Sequence, residues 1–262
     1  MPRFICQIYE VQDPAEAEQL VAMGVDHIGS VLLPEEAPSN IRIAETITAV
    51  RRTGAVSSLI PLFSDTDRVL EALARYQPDI VHFCEILELR GEGRDYIETL
   101  VGLQRAVHRV FPRMRIMRSI PIGPPGCADL VPTLALAECF APVSDLFLTD
   151  TLLIHDEEGT DQPVSGFVGI TGRICDWDMA RRLVVHSPLP VILAGGISPR
   201  NAHAALCRVR PWGIDSCTGT NAQDQKARSI RFRKDPAKVR ELLAAVRRAE
   251  ADLVPGAPKI LN

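Results

Sequence analysis

Cys6 and Asp150 are of residue types that move protons, and each stands in or just after a short apolar run, the first near Phe4 and Ile8, the second behind Leu146-Phe147-Leu148-Thr149. A thiol and a carboxyl can serve one substrate as general base and general acid when a pocket shifts their pKa values toward neutrality. Taken singly, each has a plainer reading. Free cysteine is among the most buried residue types, and a lone carboxylate after a strand serves as a helix cap or loop residue. A second set of residues is small and rich in glycine. The run Leu193-Ala194-Gly195-Gly196-Ile197-Ser198-Pro199 sets two glycines between an apolar stretch and a Ser-Pro helix start, and Asp215-Ser216-Cys217-Thr218-Gly219-Thr220 is a further small-residue loop. Glycine lets backbone approach a ligand, and the free N–H groups of a helix start attract an anion. One Gly-Gly turn has a purely steric explanation; two such loops at adjacent strand ends point to a bound phosphate.

Those strand ends belong to eight strand-helix units. Short β-branched runs predict strands at residues 4–8, 27–33, 56–63, 79–84, 115–120, 145–149, 190–194 and 213–217. Between them, amphipathic stretches predict helices from Asp13-Pro14 to Gly24, over 41–52, after Asp65, and over 96–110, 130–140, 177–185 and 199–209, with a last one over 236–249. Such alternation implies parallel strands joined by crossover helices, and nearly all-apolar strands must be covered on both faces. Eight units favour a closed (βα)8 barrel, one domain over residues 1–262. The polar, acidic stretch at about 151–165 reads as an extended loop after the sixth strand, of the kind that acts as a lid.

Composition narrows the partners. A formal charge of −4 and an Arg-rich tail interleaved with acids and aliphatics disfavour nucleic acid. The expected ligand is a small phosphorylated molecule, which the family resemblance described below makes sugar-like. Seven cysteines without CxxC or other metal-type spacing read as reduced thiols, so no metal is expected. The start Met-Pro-Arg-Phe-Ile-Cys has no signal-peptide pattern and no apolar run is long enough for a membrane span, which gives a cytoplasmic protein, monomer or homodimer, as the expectation.

The run Gly169-Ile170-Thr171-Gly172-Arg173-Ile174-Cys175-Asp176-Trp177 is similar to the GGTG-x-x-FDW stretch of phosphoribosylanthranilate isomerases, enzymes of tryptophan biosynthesis. Ala194-Gly195-Gly196-Ile197-Ser198-Pro199-Arg200-Asn201 resembles that family's AGGL-x-P-x-N, Gly213 to Gly219 resembles its GVDVSSG, and Phe4-Ile5-Cys6 resembles its strand-one KICG. The resemblance covers most of the chain, with its strongest part between Asp150 and Gly219. It implies an Amadori rearrangement without a cofactor, in which the ribose ring of an N-phosphoribosyl compound opens and isomerises to a ketose. Asp150 would be the general acid and Cys6 the general base; Asp215 would contact the sugar, and Gly172, Gly195, Gly196, Thr218 and Gly219 would line the phosphate.

Departures gather on the aromatic side of the implied site. Phe4 and Gln7 replace the family's strand-one lysine and glycine, Pro38-Ser39-Asn40 replaces the SPR motif whose arginine grips the anthranilate carboxylate, Cys84 stands for the strand-four histidine, and Asn221 for the glutamate beyond strand eight. Arg42 and Arg118 are candidates for a relocated grip, with Glu85 near the same rim. Two alternatives stay open: a phosphosugar-binding barrel that has lost turnover, and an isomerase of a different phosphorylated substrate. An aldolase would want a strand-end lysine, and the sequence offers none there.

Overall fold

Asp13, Asn40, Asp65, Asp176 and Asp235 each begin a helix by accepting backbone N–H groups of the first turn on a side-chain oxygen. Pro14 and Pro236 occupy first helical positions, and Gly24 closes the first helix in the left-handed conformation. These signals punctuate a computed structural model that describes residues 3–37, 39–88, 93–153, 164–169 and 171–253. Its strands β1 (Ile5–Ile8), β2 (His27–Leu32), β3 (Val56–Pro61), β4 (Ile80–Phe83), β5 (Arg115–Ile122), β6 (Leu146–Thr151), β7 (Val191–Leu193) and β8 (Gly213–Ser216) close in sequence order into one barrel. All neighbouring pairs are parallel, and β8 closes on β1. Helices α1 (Pro14–Met23), α2 (Ile41–Thr53), α3 (Thr66–Tyr76), α4 (Gly93–Val110), α5 (Thr133–Phe140), α6 (Trp177–His186), α7 (Ala202–Val209) and α8 (Pro236–Asp252) follow the strands in turn.

Period-2 alternation sorts each strand into lumen and helix-layer positions. Tyr9, Ile80, Met117, Leu146, Leu148, Ile192 and Ala194 pack on one another inside the barrel. Their neighbours one step away, such as Ile8, Phe147 and Leu193, pack instead with Leu20, Leu183, Leu206 and Leu242 of the helices. Fully burying one such side chain stabilises the fold by about 1.5–3 kcal/mol.

Four boundaries differ from expectation in ways that matter for the site. β6 runs on to Thr151, so Asp150 lies within the strand rather than after it. α7 starts at Ala202, because the Asn201 side chain accepts the Ser198 N–H and the chain turns once before the helix. α5 starts at Thr133, preceded by a 3-10 turn at Ala128–Leu130. Ahead of the helix predicted over 236–249, the Arg-rich tail holds an element the sequence reading did not name. It opens with a hairpin, β9 (Asn221–Gln223) and β10 (Ser229–Lys234), that pairs antiparallel outside the barrel. Lys234 therefore does close a strand, contrary to the sequence reading. Its Nζ donates to the Cys217 carbonyl at 3.1 Å and to the Asn221 side chain, so it is held as a strut rather than presented to solvent. Of the expected lid at 151–165, residues 154–163 lie outside the described residues. Its far end is described: Phe167 bridges Glu85, and Val168 N–H donates to the Cys84 carbonyl at 2.7 Å, laying this segment across the end of β4.

Candidate active site at the mouth of the barrel

Asp150 and Asp215 occupy lumen positions near the C-terminal ends of β6 and β8, where (βα)8 barrels hold their chemistry. Both line two adjoining cavities. One, with about 500 Å3 of open space, is walled by apolar Val31, Ile60, Leu62, Leu148 and Val168. The other, of about 380 Å3, is walled by Thr171, Gly172, Gly195, Gly196 and Thr218. The two carboxyls therefore stand at the junction of an apolar chamber and a polar, glycine-lined one. Burial pushes Asp150 up to about 7, opposed only by the Thr151 N–H at 2.8 Å. Burial also pushes Asp215 up to about 7, opposed first by a hydrogen bond from Gln7, while the Asp150 charge pushes it further up and Lys234 pulls it down. Two coupled carboxyls near neutrality share protons as a pair, a poise suited to acid-base work at ordinary pH.

The glycine-lined chamber depends on backbone that only glycine supplies. Gly196 has φ of +63°, and a Cβ there would sit 2.7 Å from the Arg173 carbonyl carbon and the Ile174 nitrogen. A side chain would push the β7 loop off the loop before α6 and fill the space between them. Gly172 also has positive φ, and its missing Cβ would face the Thr218 hydroxyl at 3.5 Å. Gly172, Gly195, Gly196 and Thr218 are thus brought together as the sequence suggested. Gly219 is not: a Cβ on it would meet the Ile197 carbonyl at 2.3 Å, so it packs the β8 loop onto the β7 loop behind the cavity wall.

Three other expected site residues are corrected. Cys6 does not face the mouth. It alternates with Gln7, whose side chain points into the lumen, and its own thiol is fully buried among Ala17, Leu20 and Val239 of the helix layer. Burial, then the Asp26 and Asp215 charges, holds it well above the ordinary thiol range, so it stays a neutral core thiol. Arg118 is also in the helix layer. Its guanidinium is fully buried, pairs with Glu85, donates to Gln104 Oε1 at 2.7 Å and lies over the rings of Phe83 and Phe140. Glu85 also accepts from Ser64 at 2.9 Å, so the two charges serve each other and not the cavity. Arg42 is at the rim but exposed and ion-paired with Asp13, outside the lining of either chamber.

Several residues that line or support the cavity escaped the sequence reading. Cys84 and Cys217 both line the apolar chamber, and burial drives both thiols well above their ordinary range. Glu10 lines it too, held by Arg231 of β10 through a 2.9 Å bond from Nε, with its Oε2 unpartnered. Below them lies a neutral polar layer: the His82 ring contacts the Tyr9 hydroxyl at 2.9 Å and Ser119 at 2.8 Å, and burial lowers its pKa to about 3. Gln7 donates to Asp215 Oδ1 at 3.1 Å and meets His27 Nδ1 at 3.1 Å through its own oxygen. Counting by two from Tyr9 would have marked Gln7 as a lumen residue; nothing local in the sequence marks Arg231. Among the described residues, no cluster of three or more His, Cys, Asp or Glu could hold a metal ion.

No family model matches the chain. Curated relatives do: it is 25% identical over 245 residues to N-(5'-phosphoribosyl)anthranilate isomerase 1 of Methanosarcina mazei, an alignment covering 92% of this chain and 93% of the relative. To the Methanocella arvoryzae protein named N-(5'-phosphoribosyl)anthranilate isomerase it is 29% identical over 237 residues, covering 89% and 93%. The fold superposes on the crystal structure of phosphoribosyl anthranilate isomerase from Thermotoga maritima with a TM-score of 0.65 at 15% identity, covering 93% of this chain and 98% of that one. The barrel and the end-to-end similarity to these proteins agree with one another, and the chain is similar over about nine-tenths of its length to curated phosphoribosylanthranilate isomerases at 25–29% identity.

Proposed function

We propose that this chain is an isomerase that converts an N-(5-phosphoribosyl) aromatic amine to the corresponding 1-deoxyribulose 5-phosphate by an Amadori rearrangement. The observation that carries the proposal is the position of Asp150, at once on the wall of the glycine-lined chamber and of the apolar one. A phosphate held by the backbone around Gly172, Gly195, Gly196 and Thr218 puts the ribose at Asp150 and the arylamine among Val31, Leu62 and Val168. Asp150, held protonated up to neutrality by burial, gives its proton to the ring oxygen as the C1–O bond breaks and the nitrogen lone pair forms the Schiff base. Loss of the C2 proton then gives an enolamine, which tautomerises to the ketose. The resemblance to the family assigned that proton to Cys6, which is sealed in the helix layer.

The test is an assay of the purified protein with phosphoribosylanthranilate, following loss of the anthranilate fluorescence. Turnover that Asp150→Asn lowers by at least about a hundredfold is expected; no turnover by the wild type with any phosphoribosyl arylamine would overturn the reading. One observation favours a substrate other than the anthranilate itself. Asn40 caps α2, Arg118 is buried and Arg42 is paired outside, while Glu10, Asp150 and Asp215 give the cavity three acidic side chains. Phosphoribosyl aniline, which lacks the carboxylate, is the comparison substrate; a higher kcat/KM for it supports that reading.

A further inference from the structure

We propose that Asp215 is the catalytic base that removes the C2 proton, and that Gln7, fixed by His27, is the residue that positions it. This rests on the isomerase reading above and replaces the base that the family resemblance had placed at Cys6.

The argument begins with register. Gln7 on β1 is the direct partner of Asp215 on β8 and of His27 on β2, and all three side chains turn into the lumen. Because barrel strands are staggered, a row of in-register neighbours climbs as it passes around the barrel. It starts at the first residue of β2, deep in the barrel, and arrives at the third residue of β8, at the mouth. Burial lowers the His27 pKa to about 4, so its ring is neutral, and the hydrogen at Nδ1 is the one that a Gln7 oxygen can accept. That fixes the amide the other way round, with its N–H group directed at Asp215 Oδ1. An amide N–H stabilises a carboxylate and has nothing to offer a carboxylic acid proton, so the row favours Asp215 in its ionised form.

The same comparison assigns the partner. Among the described residues, the donor that opposes burial at Asp150 is the backbone N–H of its neighbour Thr151. Asp215 shares that burial and is pushed up further by any charge on Asp150, but it also receives the Gln7 amide and the pull of Lys234, whose Nζ is anchored at the Cys217 carbonyl two residues along. Both carboxyls are driven up to about 7 by burial, and with one negative charge shared across the mouth it is the Gln7 N–H, a side-chain donor aimed at Asp215 Oδ1, that puts the charge on Asp215 and leaves the proton on Asp150. In the reaction, the C2–H bonding pair moves into a new C1–C2 double bond, the Schiff-base π pair returns to nitrogen, and the proton passes to Asp215. Asp150, having lost its own proton to the ring oxygen, is then the anion. The pair exchanges roles and its total charge is unchanged. The other mouth thiols, Cys84 and Cys217, are held neutral by burial.

The experiment has two arms. In the first, kcat and KM are measured across pH for wild type, Cys6→Ser, Cys84→Ser, Asp215→Asn, Asp215→Glu and Gln7→Leu. Cys6→Ser is expected to keep wild-type kcat. Asp215→Asn is expected to lose at least about a hundredfold in kcat with KM changed only a few-fold, and Asp215→Glu to recover part of it. Gln7→Leu is expected to move the acidic limb of the profile to higher pH, because the base has lost its N–H donor. A loss on Cys6→Ser, a loss on Cys84→Ser equal to that of Asp215→Asn, or an unmoved acidic limb in Gln7→Leu overturns the assignment. The second arm needs no substrate: carboxyl NMR titration of the wild type should show Asp215 ionising before Asp150, and Gln7→Leu should raise the Asp215 midpoint. Asp150 ionising first sinks the proposal. A wild type inert toward every phosphoribosyl arylamine defeats the isomerase reading, and the titration still decides the charge assignment.

Discussion

Arg118 carries its charge into a layer closed to water, where Glu85, Gln104 and two phenyl rings replace part of its hydration and Nη2 has no hydrogen-bond partner among the described residues. Removing one partner of such a pair strands the other, at about 3–5 kcal/mol. Arg118→Met is therefore expected to lower stability to urea by about that much while leaving KM near wild type, and Glu85→Leu added to Arg118→Met should recover much of the loss. A KM effect without a stability effect would return Arg118 to the ligand. The misplacement of Arg118 and of Cys6 has one physical origin. Side chains on a strand alternate faces, so the type of a residue near a strand end says what it can do but not which way it points. Asp150 could be singled out by its place behind the apolar run Leu146-Phe147-Leu148-Thr149, and Asp215 by the resemblance of Gly213 to Gly219 to a family motif. For Cys6 the decisive residue was Gln7, whose polar side chain had no partner visible in the sequence.

At the next scale, α2 shows what the motif around Asn40 does. Its side chain accepts the Ile43 N–H at 3.2 Å, and its own N–H goes to the Tyr76 hydroxyl at 2.9 Å. Asn40→Arg deletes that cap and is expected to destabilise the protein by about 1 kcal/mol, whereas Asn40→Asp should be nearly neutral; thermal melts of the two variants check this. The caps at Asp13, Asp65 and Asp176 were readable because a helix start has a local chemistry. The β9–β10 hairpin was not, although Ile230 and Phe232 alternate with Arg231 and Arg233 as a strand should. Its turn contains no glycine, and the positive φ that a turn demands falls on Ala227, at +60°. With the turn signal missing, that alternation alone does not predict a hairpin ahead of the last helix.

Over the molecule as a whole, the buried titratable groups set opposing dependences of stability on pH. Asp150 and Asp215 ionise at about 7 in the folded chain and near 3.8 when unfolded, so their contribution is present at acid pH and is lost as pH rises between those values. His27 and His82 fall from 6.5 to about 4 and about 3, so theirs is present above 6.5 and is lost on acidification. Above neutrality the mouth holds an anion it would rather not hold. Asp150→Asn is expected to raise Tm by a few degrees in mildly alkaline buffer and to change it little near pH 4, at the price of turnover. Equal shifts at both pH values would show that the carboxyl is not buried as described.

In most (βα)8 enzymes the rim that carries the chemistry and the opposite rim that carries stability change independently, and this separability is why the fold accommodates so many reactions. The row from His27 through Gln7 to Asp215 removes that independence on one side of the barrel. A replacement at His27 chosen for packing alone, such as a leucine to fill its space beside Trp212, releases the Gln7 amide and with it the orientation of the carboxylate at the far end. For anyone engineering this chain, the non-catalytic rim beneath β1 and β2 is not a neutral place to graft stabilising changes.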